Sequence, residues 1–189
     1  MSKNLSKSNV NTYYKNVKIG NPIGNLYRKH HVLILIELND GRFLLGTKDA
    51  FYPKHIARLV GGGRNESEDA ARCAQREVFE ELALSIPIER FIPIAKVITE
   101  AETTEGSMQM DTEIFGIKLD INEEKQILAG DDLSGYKVFN SEEYYDLVRD
   151  IFQLNGAYQA DTFSFEWKDW GVIYGPIHEI AMSGYLSVK

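Results

Sequence analysis

Glu77, Glu80 and Glu81 stand at i, i+3 and i+4 within a stretch of helical periodicity that spans 67–84. At about 100° per residue the three fall within roughly 100° of one another. Carboxylates crowded in this way repel, each like-charge pair costing about 0.2–0.5 kcal/mol. Their place toward the C-terminal end of the helix adds an unfavourable dipole. A hard divalent cation such as Mg²⁺ relieves both effects and prefers oxygen ligands. Gly61-Gly62-Gly63 lies just upstream, and glycine lets backbone carbonyls and amides approach such a site with no Cβ in the way. Spacing alone fits a solvated acidic face equally well. An extended piece, a glycine turn and a helix in succession favour the metal reading.

The elements that must position these residues are legible in outline. With Glu77 at zero, Ala71, Ala74, Val78 and Leu82 lie between roughly 60° and 140°, a core stripe separate from the acidic face. Phe79 points about 200° away and is expected to pack under the N-terminal arm, the C-terminal segment or a second subunit. A hairpin is predicted from 32–38 and 42–46 around Asp40-Gly41, a turn pair suited to positive φ. Further strands are predicted over 91–98, 113–119 and 136–139, a helix over 141–154, and a closing helix over 176–183 with Pro176 as its first residue. This pattern is α/β, a mixed β-sheet with helices packed on it, and no second domain is evident.

Composition excludes several classes. The 189 residues are 43% hydrophobic and 26% charged, as in an ordinary globular protein. A lone Cys73 rules out an intramolecular disulfide and fits a reducing, cytoplasmic setting. No apolar run is long enough for a membrane helix. The net charge of -7 disfavours nucleic acid as a partner. Residues 1–36 nevertheless carry Lys3, Lys7, Lys15, Lys18, Arg28 and Lys29 and no acid. The chain therefore divides into a basic N-terminal arm, 1–28, and an acidic body, 29–189, and residues 1 to about 12 have the composition of a mobile terminus.

The segment from Gly62 to Leu84 resembles the Nudix box, Gx5Ex7REUxEExGU, where U is a bulky aliphatic residue. Gly62 fills the first glycine and Glu68 the first glutamate. Arg76-Glu77-Val78 supplies REU, Glu80-Glu81 supplies EE, and Leu84 the last aliphatic. Ala83 stands where the family has a helix-ending glycine, and alanine is a poorer left-handed residue there. The departure leaves the helix end open and not the ligands. Gly46-Thr47-Lys48-Asp49-Ala50 does not fit the coenzyme A subgroup, and 99–103 holds neither the proline nor the tyrosine that mark two other subgroups.

The resemblance implies an α/β/α sandwich and hydrolysis of a nucleoside diphosphate linked to another moiety, with Mg²⁺ or Mn²⁺. It implies that Glu77 and Glu81 ligate metal, with Glu80 as a further ligand or water-positioning carboxylate. Backbone groups around Gly62 and Gly63 would complete the site and meet the substrate. Arg76 would hold the glutamates by ion pairs, and Glu68 would brace the loop without touching metal. The family often adds a carboxylate from outside the box. Asp131 and Asp132 compete for that role with Glu100, Glu102 and Glu105, and nothing in the sequence decides between them. A homodimer is expected. A non-enzymatic binding or regulatory protein on the same scaffold is the alternative, although such proteins usually lose box glutamates. The isomerase branch of the fold needs a cysteine upstream of the box, which this chain lacks. Cys73 reads as a small packed residue, and His30, His31, His55 and His178 as structural or surface residues. The late aromatics, Phe163 to Tyr174, suit either a nucleobase or a core.

Overall fold

The computed structural model describes residues 10–20, 28–130 and 132–189. Its centre is a seven-stranded mixed sheet in the order β1-β5-β6-β2-β3-β7, with β4 also paired to β2. The strands are β1 (Asn11–Lys18), β2 (His30–Glu37), β3 (Phe43–Thr47), β4 (Val60–Gly63), β5 (Ile92–Thr103), β6 (Gly106–Lys118) and β7 (Gly135–Phe139). Pairs β1/β5 and β2/β6 are parallel and the others antiparallel. Helix α1 (Ala70–Leu82) covers one face. A short α2 (Ile121–Glu124) follows β6, while α3 (Ser141–Phe152) and α4 (Trp167–Val188) cover the other face. A separate two-stranded sheet, β8 (Ala157–Gln159) with β9 (Ser164–Glu166), leads into α4.

The run Val32-Leu33-Ile34-Leu35-Ile36 explains the three layers. Successive strand side chains point to opposite faces. Val32, Ile34 and Ile36 pack with Ala74, Val78 and Leu82 of α1. Leu33 and Leu35 pack with Tyr144, Ile151 and Ile177 of α3 and α4. A strand covered on both sides reads as a continuous apolar run rather than an alternating one.

Four expectations change. Residues 11–18, assigned to the basic arm, add β1 to the sheet edge, paired with 95–102. The strands expected over 91–98 and 113–119 form one long hairpin, so Glu100 and Glu102 sit within β5 and Glu105 at its tip. The glycine stretch is itself a strand, β4, and not a turn. Pro176 lies inside a 22-residue α4 instead of opening it. Trp167, Trp170, Ile173 and Tyr174 bury the turns before it, and that packing outweighs the lost hydrogen bond. The carbonyl left without a donor belongs to Val172, a residue on the exposed side of the helix.

Far from the glycines, Glu37 closes the end of β2 with no exposure. Lys118 Nζ and Lys189 Nζ donate to its carboxylate at 2.9 and 2.7 Å. Burial alone would raise its pKa, but these lysines and Tyr185 hold it below the ordinary 4.5. A depressed carboxylate stabilises the fold above its unfolded pKa, and that contribution is lost as pH falls through the folded value. Glu37→Gln is therefore expected to cost about 2 kcal/mol at neutral pH. Thermal melts should show a Tm lower by about 4–8 °C at pH 7 and a difference that shrinks below pH 4.5.

Candidate active site

Helix α1 starts later than its periodicity suggests. Asp69 caps it, accepting a hydrogen bond from the Arg72 N–H at 2.8 Å. Glu68 therefore precedes the helix, and ideal-helix geometry does not apply to it. It folds back beneath Arg76, which donates to it at 2.7 and 3.2 Å. The Asn65 N–H donates to it at 2.9 Å. The Arg76 guanidinium holds the Glu68 carboxyl down at about 2. Arg76 also donates to Glu77 at 2.7 Å, to Glu80 at 2.8 Å and to the Gly63 carbonyl at 3.0 Å. One guanidinium thus ties the loop, the glycine strand and two glutamates together.

The acidic face is not uniform. Glu77 and Glu81 are buried at 7% and 3% exposure, at the edge of the core stripe, whereas Glu80 points outward. Burial raises the proton affinity of both buried carboxyls, more than their cationic partners lower it. Glu77 approaches β4 so closely that a Cβ on Gly62 would sit 2.7 Å from its carboxylate oxygens. Gly62 is needed for this close approach. Glu81 accepts from the Gly61 N–H at 3.0 Å and from Arg58.

Arg58 is the residue that sequence reasoning missed. Its side chain donates to the Leu59 and Gly61 carbonyls at 3.1 and 2.7 Å as well as to Glu81. Burial would weaken its charge, but Glu81, together with Tyr52 and Tyr174, offsets that and raises its pKa. The available signal was an arginine set among the apolar residues Ala57, Leu59 and Val60. Behind it, the His178 ring accepts from the Leu59 N–H at 3.3 Å.

The end of α1 is fixed from two sides. Ala83 adopts the left-handed conformation, φ 57° and ψ 24°, at the position of the expected glycine, so the helix stops at Leu82. That backbone costs an L-residue about 1–2 kcal/mol. Ala83→Gly should raise Tm by about 2–4 °C, read by differential scanning calorimetry. The loop after α2 then crosses the helix end. Leu128 and Gly130 donate their N–H groups to the carbonyls of Leu82 and Glu81 at 3.1 and 2.9 Å. These bonds satisfy carbonyls that a helix terminus leaves open. A Cβ on Gly130 would meet the Glu80 carbonyl at 1.9 Å. The crossing brings Asp132 beside Glu81, with Lys48 Nζ 3.6 Å from its carboxylate. Asp131 lies outside the described residues.

A cavity of about 850 Å³ joins these groups. Gly62, Gly63, Arg76, Glu77, Glu80, Glu81 and Asp132 line it, together with Arg28, Lys48, Arg58 and Arg64. Glu100, Glu102 and Glu105 do not, and Glu102 pairs with Lys18 at 3.1 Å instead. Among the described residues no three of His, Cys, Asp and Glu converge closely enough to hold a metal ion as they stand. Arg58 and Arg76 each bond one oxygen of these carboxylates. The donor set nevertheless suits a hard cation: buried carboxylates one turn apart, beside a backbone stripped of Cβ.

Residues 27–157 match the family model for the NUDIX domain. The chain belongs to the Nudix family. Solved Nudix structures share its fold at low identity. A bifunctional NMN adenylyltransferase/ADP ribose pyrophosphatase from Francisella tularensis, complexed with AMP and Mn ion, is 16% identical with a TM-score of 0.51. That alignment covers 82% of this chain and 42% of that one. An Ap4A hydrolase from C. elegans is 16% identical over 85% of this chain and 97% of its own, with a TM-score of 0.49. A MutT/nudix family protein from Enterococcus faecalis is 20% identical over 60% of this chain, with a TM-score of 0.49, and the match spans only 44% of that protein. No curated protein matches the chain.

Other expectations resolve simply. Cys73 is buried within the Nudix helix, and burial, with Glu68 and Glu77 nearby, pushes its thiol up to about 12. It is a packed residue and a poor nucleophile. Phe79 is 59% exposed, so neither α4 nor β1 covers it as expected. The buried stripe of α1 runs through Glu77 and Glu81 and leaves Phe79 on the opposite side. No helix among the described residues is long and apolar enough to cross a membrane.

Proposed function

We propose that this Nudix protein is a hydrolase that cleaves the phosphoanhydride bond of a nucleoside diphosphate linked to another moiety, using Mg²⁺ or Mn²⁺. The observation that carries the reading is one cavity whose wall carries both charges. Glu77, Glu80, Glu81 and Asp132 line it together with Arg28, Lys48, Arg58, Arg64 and Arg76, several of them ion-paired with one another. A diphosphate would meet the basic groups directly and the carboxylates only by way of a divalent cation.

Glu77 and Glu81 would hold the cation, with Glu80 and the Gly62 backbone within the same wall. The ion, when bound, supplies charge neutralisation and a more acidic water. Everything else belongs to the chain. Glu68 fixes Arg76, and Arg76 fixes the carboxylates of Glu77 and Glu80. Arg58 and Gly61 fix Glu81. Asp132, oriented by Lys48, takes the proton from the attacking water as general base. A reducing, cytoplasmic setting and a homodimer accord with the lone cysteine and the exposed Phe79. Mn ion in the Francisella enzyme accords with the metal class.

Hydrolysis of a panel of nucleoside diphosphate derivatives in ¹⁸O-labelled water tests the reading. The label is expected on a phosphate product, because the nucleophile sits among the groups that polarise phosphorus. Label on a sugar carbon overturns phosphorus attack. Absence of turnover across the panel favours the non-enzymatic alternative.

A further inference from the structure

The Nudix match ends at residue 157, yet the cavity wall continues onto α4, where His178 lines it with Arg58 and Glu81. His178 is 1% exposed, and both of its ring nitrogens are engaged within the protein. Nδ1 lies 2.8 Å from the Tyr174 carbonyl, one helical turn back. A carbonyl only accepts, so Nδ1 carries the proton and Nε2 keeps a lone pair. Nε2 accepts from the Leu59 N–H at 3.3 Å. Burial holds the ring down at about 4, so it is neutral and both bonds are met at once. With neither nitrogen free, His178 has no atom with which to ligate a cation or take a proton. What it contributes passes through the Leu59 amide.

That amide sits between two fixed points. Arg58, just before it, exchanges both backbone hydrogen bonds with Gly46, at 2.9 and 2.8 Å. Val60, just after it, begins the pairing of β4 with β2. Leu59 turns its N–H toward α4, and α4 supplies the acceptor. The residues that fix Glu81 flank this point. The Arg58 guanidinium bonds one carboxylate oxygen, and the Gly61 N–H bonds the other at 3.0 Å. Arg58 also donates to the Leu59 carbonyl at 3.1 Å, so a displaced Leu59 carries the guanidinium with it. His178 is itself braced from α3, where the Tyr144 O–H donates to its carbonyl at 3.1 Å. Any buried N–H needs an acceptor. From this one a bonded path runs on to a carboxylate of the proposed metal face.

We infer that His178 is a positioning residue for that face. By holding the Leu59 amide it sets where Arg58 and Gly61 present their donors, and so where Glu81 presents its oxygens. The inference rests on the proposed role of Glu81 in holding the cation. It makes α4, outside the Nudix match, part of the metal site.

Mn²⁺ binding to the folded protein, without substrate, tests it. Free Mn²⁺ is followed by electron paramagnetic resonance as the ion is titrated into wild type, His178→Leu and His178→Gln, below the melting point of each. Leucine removes the acceptor, whereas glutamine places an amide oxygen near where Nε2 stands. His178→Leu should raise the Mn²⁺ dissociation constant about tenfold, and His178→Gln should recover most of that loss. A role in stability alone would lower the Tm of His178→Leu and leave its dissociation constant at the wild-type value, which overturns the inference. A glutamine variant as impaired as the leucine variant overturns it too. If His178→Leu fails to fold, ¹⁵N NMR of the wild type decides. Titration with Mg²⁺ should then move the Leu59 amide and His178 Nε2 signals with one midpoint, and unmoved signals overturn the inference. The diphosphate panel is assayed in parallel. Turnover by the wild type with unchanged Mn²⁺ binding in His178→Leu sinks this inference alone. Mn²⁺ binding that depends on His178, without turnover of any diphosphate, sinks the hydrolase reading alone.

Discussion

Glu77→Gln is expected to lower kcat by at least about 10²–10³ while leaving the metal-free protein at least as thermostable as wild type. Glu81→Gln should match the loss in kcat but melt at a lower temperature. The two residues are one turn apart on α1, yet their surroundings differ. Glu77 is buried against Gly62, and its charged form is disfavoured by that burial and by Glu81 and Glu80. A neutral amide of the same shape removes this penalty, and Arg76 keeps Glu68 and Glu80 as partners. Glu81 is the carboxylate that Arg58 depends on, deep beside β4. Neutralising it leaves a buried guanidinium with carbonyl partners only, a change that costs about 3–5 kcal/mol when a buried pair is broken. Activity assays with Mg²⁺ and melts in chelator separate the two effects. A Glu77→Gln enzyme with near wild-type turnover would overturn the metal-face assignment.

The asymmetry between these glutamates marks where sequence reasoning ended. Periodicity placed Glu77, Glu80 and Glu81 together because helix geometry is local, the order of elements gave a mixed sheet with helices on it, and the α/β/α layering came from the resemblance of the box. Burial was not legible. Whether Glu77 faces solvent depends on β4, which lies on the same face only because 60–63 pair with 31–34 of β2. A glycine-rich strand has no alternating pattern to reveal it. The same holds for Arg58, whose partner is 23 residues away. Pro176 misled for a related reason. The local rule for a first helical residue was sound, but aromatic packing against α3 extended the helix nine residues upstream. Ala83 gives the opposite case. The departure from the expected glycine left the conformation unchanged, because the loop at 128–130 fixes the helix end from outside.

That loop also bears on the carboxylate outside the box. Asp132→Asn should lower kcat by about 10²–10⁴ with little change in KM, the size expected for a lost general base. Glu100→Gln, Glu102→Gln and Glu105→Gln should each stay near wild type. Two carboxylate sets were open in the sequence because the family's additional carboxylate varies in position and no motif fixes it. The fold treats them differently. Residues 92–118 close into one long hairpin that carries Glu100 and Glu102 along the β1 side of the sheet. Gly130 lies flat against the Glu80 carbonyl, and its N–H is bonded to Glu81. Asp132, two residues on, is thereby brought into the cavity that Glu81 lines. Its electrostatic reach already includes Glu81, whose charged form it disfavours. Lys48 is 3.6 Å away and restrains a side chain that is otherwise 81% exposed. An exposed carboxylate beside a buried pair suits proton transfer to solvent better than a further ligand. The pH profile of kcat/KM distinguishes the roles: loss of a base removes the acidic limb, whereas loss of a ligand raises the cation concentration needed for half-maximal activity. If Asp132→Asn shifts only that metal requirement, Asp132 is a ligand and the proton acceptor lies elsewhere.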